Sequence, residues 1–292
     1  MDYAAEMNKL PKQHDFFIGF DSDGCVFDTM EIKHKECFCP NYIKHFGLQA
    51  ASKYAREIWE FVNLYSKTRG CNRFLAVQRC MKLLRERKEV IERGVVIPEL
   101  NEMNAWIEVE TKLGNPALEA KVAASGSEEL TALLAWSTAV NATISDMVFG
   151  ISPFPGVCDV LAKSEGRADM IVVSQTPLEA LTREWTENKV DHYLGMICGQ
   201  EHGTKTEHLQ FTANGKYDPD KILMIGDAPG DLKAAKANNA LFFPVVPGRE
   251  EASWAKLNSE GIDRFFNGTY AGAYQESLLD EFDKALPELP SW

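Results

Sequence analysis

The sequence contains no run of about 18 apolar residues, so nothing in it reads as a membrane-spanning helix. No secretory h-region follows Met1-Asp2-Tyr3 either, because charged residues are mixed in from the start. No CxxC pair is present. The cysteines are Cys25, Cys37, Cys39, Cys71, Cys80, Cys158 and Cys198, an odd set without zinc-site or disulfide-framework spacing, which suits reduced thiols in a cytoplasm. Cys37 and Cys39 lie close together but have no second pair to complete a zinc site, so they read as structural. The six histidines are scattered without ligand spacing. Positive charge is also scarce: 31 Lys and Arg against 43 Asp and Glu leave a formal net charge of -12. That balance excludes a basic nucleic-acid surface and means that any phosphate must be drawn in by local cations. Internal repeats and low-complexity segments are absent. The expectation is a soluble cytoplasmic protein with neither nucleic acid nor membrane as partner. Its oligomeric state is left open.

What is present is ample material for a core. With 292 residues, 45% hydrophobic and 25% charged, the chain can form two domains or one large one. From about Thr29 to Gly150 the apolar spacing is helical throughout, as in Ile32, Phe38, Tyr42 and Phe46, or Tyr54, Ile58, Trp59, Val62 and Tyr65. Asn115-Pro116 reads as a cap with proline at the first helical position, and Ser127 with Glu128 and Glu129 opens a long helix. After Pro153-Phe154-Pro155-Gly156 short apolar runs alternate with helical stretches. Met170 to Val173, Ile222 to Ile225 and Leu241 to Val246 are predicted strands; Pro177 to Asn188, Asp231 to Asn238 and Glu250 to Glu260 are predicted helices, the last stopped by Gly261. A tail helix is predicted from about Ser277 to Leu286. This alternation implies right-handed parallel crossovers, hence an α/β doubly wound sheet covered on both faces. Phe16 to Phe20 joins it as the first strand, so residues 1–29 and 150–292 are expected to form the core and 30–149 an all-helical insertion.

The chemistry collects where predicted strands end. The run from Phe16 to Phe20 gives way to Asp21-Ser22-Asp23-Gly24, a polar loop at the edge where parallel sheets bind ligands. Two carboxylates so close repel unless a cation sits between them, and magnesium suits oxygen donors near phosphate. An EF-hand is excluded, because its fifth, sixth and twelfth positions would be Cys25, Val26 and Ile32. Taken alone, Asp21 and Asp23 also read as turn formers, Ser174 as a helix cap and Lys205 as a solvated charge. Taken together they read otherwise. Ser174-Gln175-Thr176 follows the strand at Met170, and Gly226-Asp227-Ala228-Pro229-Gly230-Asp231 follows the strand at Ile222. Lys205, after Gly203-Thr204, supplies positive charge.

In these motifs the sequence resembles the haloacid dehalogenase superfamily, in its phosphatase branch. Asp21, Asp23, Gly24 and Asp28 stand as its Asp-x-Asp-Gly-x-x-x-Asp motif after a strand, and Ile171-Val172-Val173-Ser174 as its strand ending in a hydroxyl. Lys205 is its helix-opening lysine, and Gly226, Asp227 and Asp231 its Gly-Asp-x-x-x-Asp motif. Many relatives carry proline just after that lysine, where this chain has Thr206-Glu207. The resemblance implies a Rossmannoid core, with the helical insertion as a cap of the first type, larger than the usual four helices. It further implies phosphate release from a small phosphorylated metabolite through an aspartyl-phosphate. Asp21 would be the nucleophile and Asp23 the acid and base. Asp21, Asp227 and the Asp23 carbonyl would hold Mg2+; Ser174, Gln175 and Lys205 would grip the phosphate; Asp231 would orient Lys205 or a water. In the helical part, Arg69 and Arg73 break between two helices and are candidates for recognising an anionic substrate, or they belong to an ordinary solvated turn. Dehalogenation is disfavoured, since that branch lacks an acid at the place of Asp23. Phosphonate cleavage would need a Schiff-base lysine such as Lys33, Lys35 or Lys53. A sugar-phosphate mutase, or a ligand-binding protein without catalysis, remains as an alternative.

Overall fold

Phe16-Phe17-Ile18-Gly19-Phe20 offers no polar side chain to water, which suits a strand buried on both faces. In the computed structural model, which describes Asp2–Trp292, this run is β1 (Phe16–Phe20), the middle strand of a five-stranded parallel sheet. β2 (Ala168–Val173) and β4 (Ile222–Gly226) flank it; β3 (Met196–Cys198) lies outside β2 and β5 (Leu241–Pro244) outside β4. Phe20 is in register with both Val172 and Ile225, so Asp21, Ser174 and Asp227 leave the sheet at one edge, within two residues of those pairs.

The strand period sorts side chains between two cores. Ile18, Phe20 and Val172 pack with Leu161, Leu181, Trp185 and Trp254 on one face. Phe17, Ile171 and Val173 pack with Leu209, Ala234, Ala235 and Phe282 on the other. Helices Val157–Ser164, Leu178–Glu187 and Glu250–Lys256 therefore cover the first face, and Lys205–Thr212, Pro229–Ala237 and Ala273–Ala285 the second. The result is the doubly wound α/β architecture expected.

β3 and the stretch around Gly261 differ from expectation. β3 has three residues, too few for a strand period to show. Gly261 does not stop a helix: its φ of -64° is helical, and the chain runs on through Ile262–Phe266. The reason is space, since an added Cβ would lie 3.0 Å from Leu257 Cδ1 and 3.3 Å from the Tyr274 hydroxyl. Glycine there permits a close approach.

His208, on the Lys205–Thr212 helix, is fully buried. Burial, followed by the charges of His202 and Lys205, lowers its pKa from 6.5 to about 4, so the fold favours the neutral ring. A depressed histidine contributes stability above its unfolded pKa and loses it as protons force charge into the core. Stability is therefore expected to fall by about 3 kcal/mol between roughly pH 6.5 and 4. Urea melts across that window on wild type and His208→Leu should show the variant losing less; parallel losses would contradict this assignment.

The chain divides into two compact units, Met1–Met30 with Gly150–Pro287, and Glu31–Phe149 with Glu288–Trp292. Among the described residues the second unit has no strand. Its core gathers Phe38, Tyr42, Phe46, Trp59, Phe74 and Trp136, with the Trp59 and Trp136 ring centroids 6.1 Å apart. Ser127 caps Glu128–Met147 by accepting from the Leu130 N–H at 3.0 Å. Asn115 lies inside its helix instead of capping it, and its Oδ1 accepts from the Ser137 hydroxyl at 2.6 Å. The sequence boundaries place the last residues with the core, but Glu288–Trp292 groups with the helical unit. Trp292 meets Phe61 edge-on at 5.3 Å and the Arg87 guanidinium at 4.5 Å.

Candidate active site

Lys205 is placed by its own helix start. Thr204 and Glu207 form a capping box: the Thr204 hydroxyl accepts from the Glu207 N–H at 3.2 Å, and Glu207 Oε2 accepts from the Thr204 N–H at 2.7 Å. Lys205 becomes the first helical residue, with Nζ 2.8 Å from Asp21 Oδ2 and 2.6 Å from Asp231 Oδ1. Burial alone would pull the lysine pKa down, but the two carboxylates raise it and hold the ammonium charged.

Asp231 is fully buried and serves as a brace. While Oδ1 meets Lys205, Oδ2 accepts from the backbone N–H groups of Asp227 and Ala228 at 3.1 and 2.9 Å. This geometry requires a bare Cα at Gly226, where an added Cβ would lie 2.4 Å from the Asp231 Cβ. Gly226→Ala is therefore expected to displace Asp231 and cost about 1–3 kcal/mol as overpacking. Thermal melting checks the stability; an unchanged melting temperature would contradict the packing.

Asp23 receives two hydroxyl hydrogen bonds that sequence reading missed. Thr29 donates to Oδ1, and Thr176 donates to Oδ2 at 2.6 Å. Ser174 sits at the end of β2, where its hydroxyl accepts from the Thr176 N–H at 3.2 Å. Gln175 is exposed, and its amide donates to the Gly203 carbonyl at 2.8 Å, tying two loops together. Asp28 is exposed. Thr176 was visible beside Ser174, but its partner depends on how the loops fold. Nothing local marks Thr29.

Arg69 and Arg73 belong to the helical unit. Arg69 is buried, and its Nη1 donates to the Leu64 carbonyl at 2.8 Å. Arg73 Nη1 donates to the Ser137 hydroxyl at 3.0 Å and Asn141 Oδ1 at 2.8 Å, and the guanidinium lies 5.1 Å from the Phe38 ring centre. Burial lowers the Arg73 pKa to about 10.

Asp21, Asp227 and Asp231 offer buried carboxylate oxygens within 4.8 Å of one another. Burial, then Asp231, push the Asp21 pKa well above the usual carboxylate range; Lys205 pulls it down and Asp227 adds to the rise. Three acids against one ammonium make an oxygen-only site with excess negative charge. That donor set fits a hard divalent cation.

Residues 100–245, half of the chain, match the family model described as haloacid dehalogenase-like hydrolase. β1, with Asp21 and Asp23 after it, lies outside the matched span. No curated protein matches the chain. Among solved structures, it is similar to a HAD-superfamily hydrolase, subfamily IA, variant 1, from Geobacter sulfurreducens: 15% identity over 80% of this chain and 90% of that one, TM-score 0.41. A haloacid dehalogenase-like family hydrolase from Streptococcus pneumoniae gives 14% identity, 82% and 90% coverage and a TM-score of 0.43. A predicted phosphatase from Clostridium acetobutylicum gives 15%, 87% and 98%, and 0.43.

Proposed function

The chain belongs to the haloacid dehalogenase-like hydrolase family, and on that premise we propose that it is a magnesium-dependent phosphohydrolase releasing phosphate from a small phosphomonoester. The observation that carries this reading is the ammonium of Lys205 held between Asp21 and Asp231, with Asp227 beside them, at the edge where β1 and β4 end. A nucleophile, a cation and a metal-binding acid together at a buried strand edge are what attack on an anionic phosphate requires.

In this reading an Asp21 carboxylate oxygen attacks phosphorus in line while the ester P–O bond breaks, giving an aspartyl-phosphate and an alcohol. Asp23 gives a proton to the departing oxygen, then takes one from the water that attacks the aspartyl-phosphate and frees Asp21. The hydroxyls of Thr29 and Thr176 hold the Asp23 carboxyl in one orientation meanwhile. Lys205, Ser174 and Gln175 would hold the non-transferred oxygens. Asp231 would keep Lys205 in place. Mg2+, held by Asp21, Asp227 and the Asp23 carbonyl, would screen carboxylate from phosphate and draw charge from the transferring group. We read residues 30–149 as the cap, with Arg69 and Arg73 as its candidates for recognising the anion, and the cytoplasm as the place of action. Among the described residues no helix is long and apolar enough to cross a membrane. Lys35 does not suit a Schiff-base role, because its ion pair with Glu31 holds it protonated.

The test is a screen of phosphorylated metabolites for phosphate release with and without Mg2+. Chelation is expected to lower the rate at least about 10³-fold, consistent with several kcal/mol of charge stabilisation, and added Mg2+ to restore it. Equal rates in chelator would contradict the metal role, and isomerisation of a sugar phosphate without phosphate release would favour a mutase.

A further inference from the structure

Ser22 stands between Asp21 and Asp23 and is completely buried, as is Trp185. A serine hydroxyl can donate once and accept twice. Here Ser22 Oγ donates to Glu184 Oε2 and accepts from the Trp185 indole N–H, both at 3.0 Å. The backbone of Ser22 is equally engaged. Its N–H donates to Asp21 Oδ1 at 2.8 Å, and its carbonyl accepts from the N–H groups of Val26 and Phe27 at 2.9 and 3.0 Å.

The two oxygens of Asp21 thus have different holders: Oδ1 meets the Ser22 N–H, and Oδ2 meets Lys205 at 2.8 Å. Together they fix how the carboxylate is turned. The Ser22 N–H can hold its side only while the peptide plane between the two acids is itself fixed. Glu184 and Trp185, consecutive on the Leu178–Glu187 helix, grip the Ser22 side chain from two directions. Trp185 is anchored in turn by Phe27, edge to face with centroids 5.5 Å apart.

Resting on the reading of Asp21 as nucleophile, we propose that Ser22, clamped by Glu184 and Trp185, is a positioning residue that holds the Asp21 carboxylate in its attacking orientation. A serine that merely satisfied the Trp185 indole would affect melting and leave turnover alone. A positioning serine affects turnover at temperatures where the fold is intact.

The test uses the full chain with Mg2+ and p-nitrophenyl phosphate, each variant assayed well below its own melting temperature. Ser22→Ala is expected to lower kcat on the order of 10²-fold with KM changed less than about 3-fold. Glu184→Gln keeps an acceptor for the hydroxyl and should retain most of kcat, whereas Glu184→Leu should fall with Ser22→Ala. The double variant Ser22→Ala/Glu184→Leu should be no slower than the slower single, as expected of residues acting as one unit. Glu184 is partly exposed, so its two variants test the clamp even where Ser22→Ala fails to fold. A Ser22→Ala or Glu184→Leu enzyme with wild-type kcat and only a lower melting temperature would overturn the proposal, as would multiplying losses in the double variant. If wild type turns over and these variants match it, the clamp alone fails; if Asp21→Asn turns over as fast as wild type, the nucleophile reading fails and takes the clamp with it.

Discussion

Asp21→Asn is expected to lower phosphate release by a factor on the order of 10⁴ or more, as loss of a covalent nucleophile does elsewhere, while leaving the fold intact. The amide is nearly isosteric and keeps an oxygen that can accept from Ser22 N–H or Lys205, which bond the carboxylate at 2.8 Å each. What it lacks is the negative charge that attacks phosphorus. Stability should not suffer, because burial and then Asp231 already raise the Asp21 pKa and disfavour its ionised form. A raised carboxyl pKa means that the charge costs folding energy at neutral pH, so removing it offsets the loss of half of the Lys205 pairing. In metal-free buffer the melting temperature of Asp21→Asn should equal or exceed that of wild type. An active Asp21→Asn enzyme would remove Asp21 from the chemistry, and an unfolded one would show that its charge is structural.

Lys205→Met should damage both stability and turnover. Lys205 bonds two buried carboxylates, Asp21 and the fully buried Asp231. Deleting one partner of a buried pair leaves charge uncompensated, which costs about 3–5 kcal/mol. The melting temperature should therefore drop by roughly 10 °C. Turnover should fall on the order of 10²–10³-fold through loss of charge stabilisation on the transferring phosphate. Two controls separate these effects. Lys205→Met/Asp231→Asn should regain part of the stability without regaining activity, since the stranded charge is gone. Mg2+ should raise the melting temperature of Lys205→Met by more than it raises wild type, because a cation among Asp21, Asp227 and Asp231 replaces some of the missing compensation. A Lys205→Met chain as stable as wild type without metal would contradict this account, because it would mean that no uncompensated carboxylate charge is left behind when the ammonium goes.

Much of the sheet was legible because β1 and β4 are unbroken apolar runs that end in Asp or Gly-Asp. Buried parallel strands advertise themselves this way, and their C-terminal ends locate a site before any contact is known. β3 was not legible, because a three-residue edge strand has no period of its own. Gly261 misled because glycine commonly ends helices through a left-handed residue, whereas here it is helical and makes room for Leu257 and Tyr274. The Thr204-x-x-Glu207 capping box was written in the sequence, and it starts the helix at Lys205. The hydroxyls of Thr29 and Thr176 on Asp23, and the grip of Glu184 and Trp185 on Ser22, could not be read. These bonds join loops and a helix far apart in sequence, and no local pattern encodes such pairings. Arg73 shows the same limit: the sequence offers it as a candidate for anion recognition or as part of a solvated turn, and neither reading names its partners Ser137 and Asn141 on a later helix.

The most direct measurement is to find where the phosphoryl group rests during turnover. The chain is mixed with a substrate from the metabolite screen and Mg2+, quenched in acid within one turnover, and reduced with borohydride, which converts an acyl phosphate on aspartate to homoserine. Peptide mass spectrometry should then find homoserine at position 21, and at neither Asp23 nor Asp227. Phosphate release with an unmodified Asp21 in every quenched sample, or with the phosphoryl group on another side chain, would contradict covalent catalysis at this carboxylate.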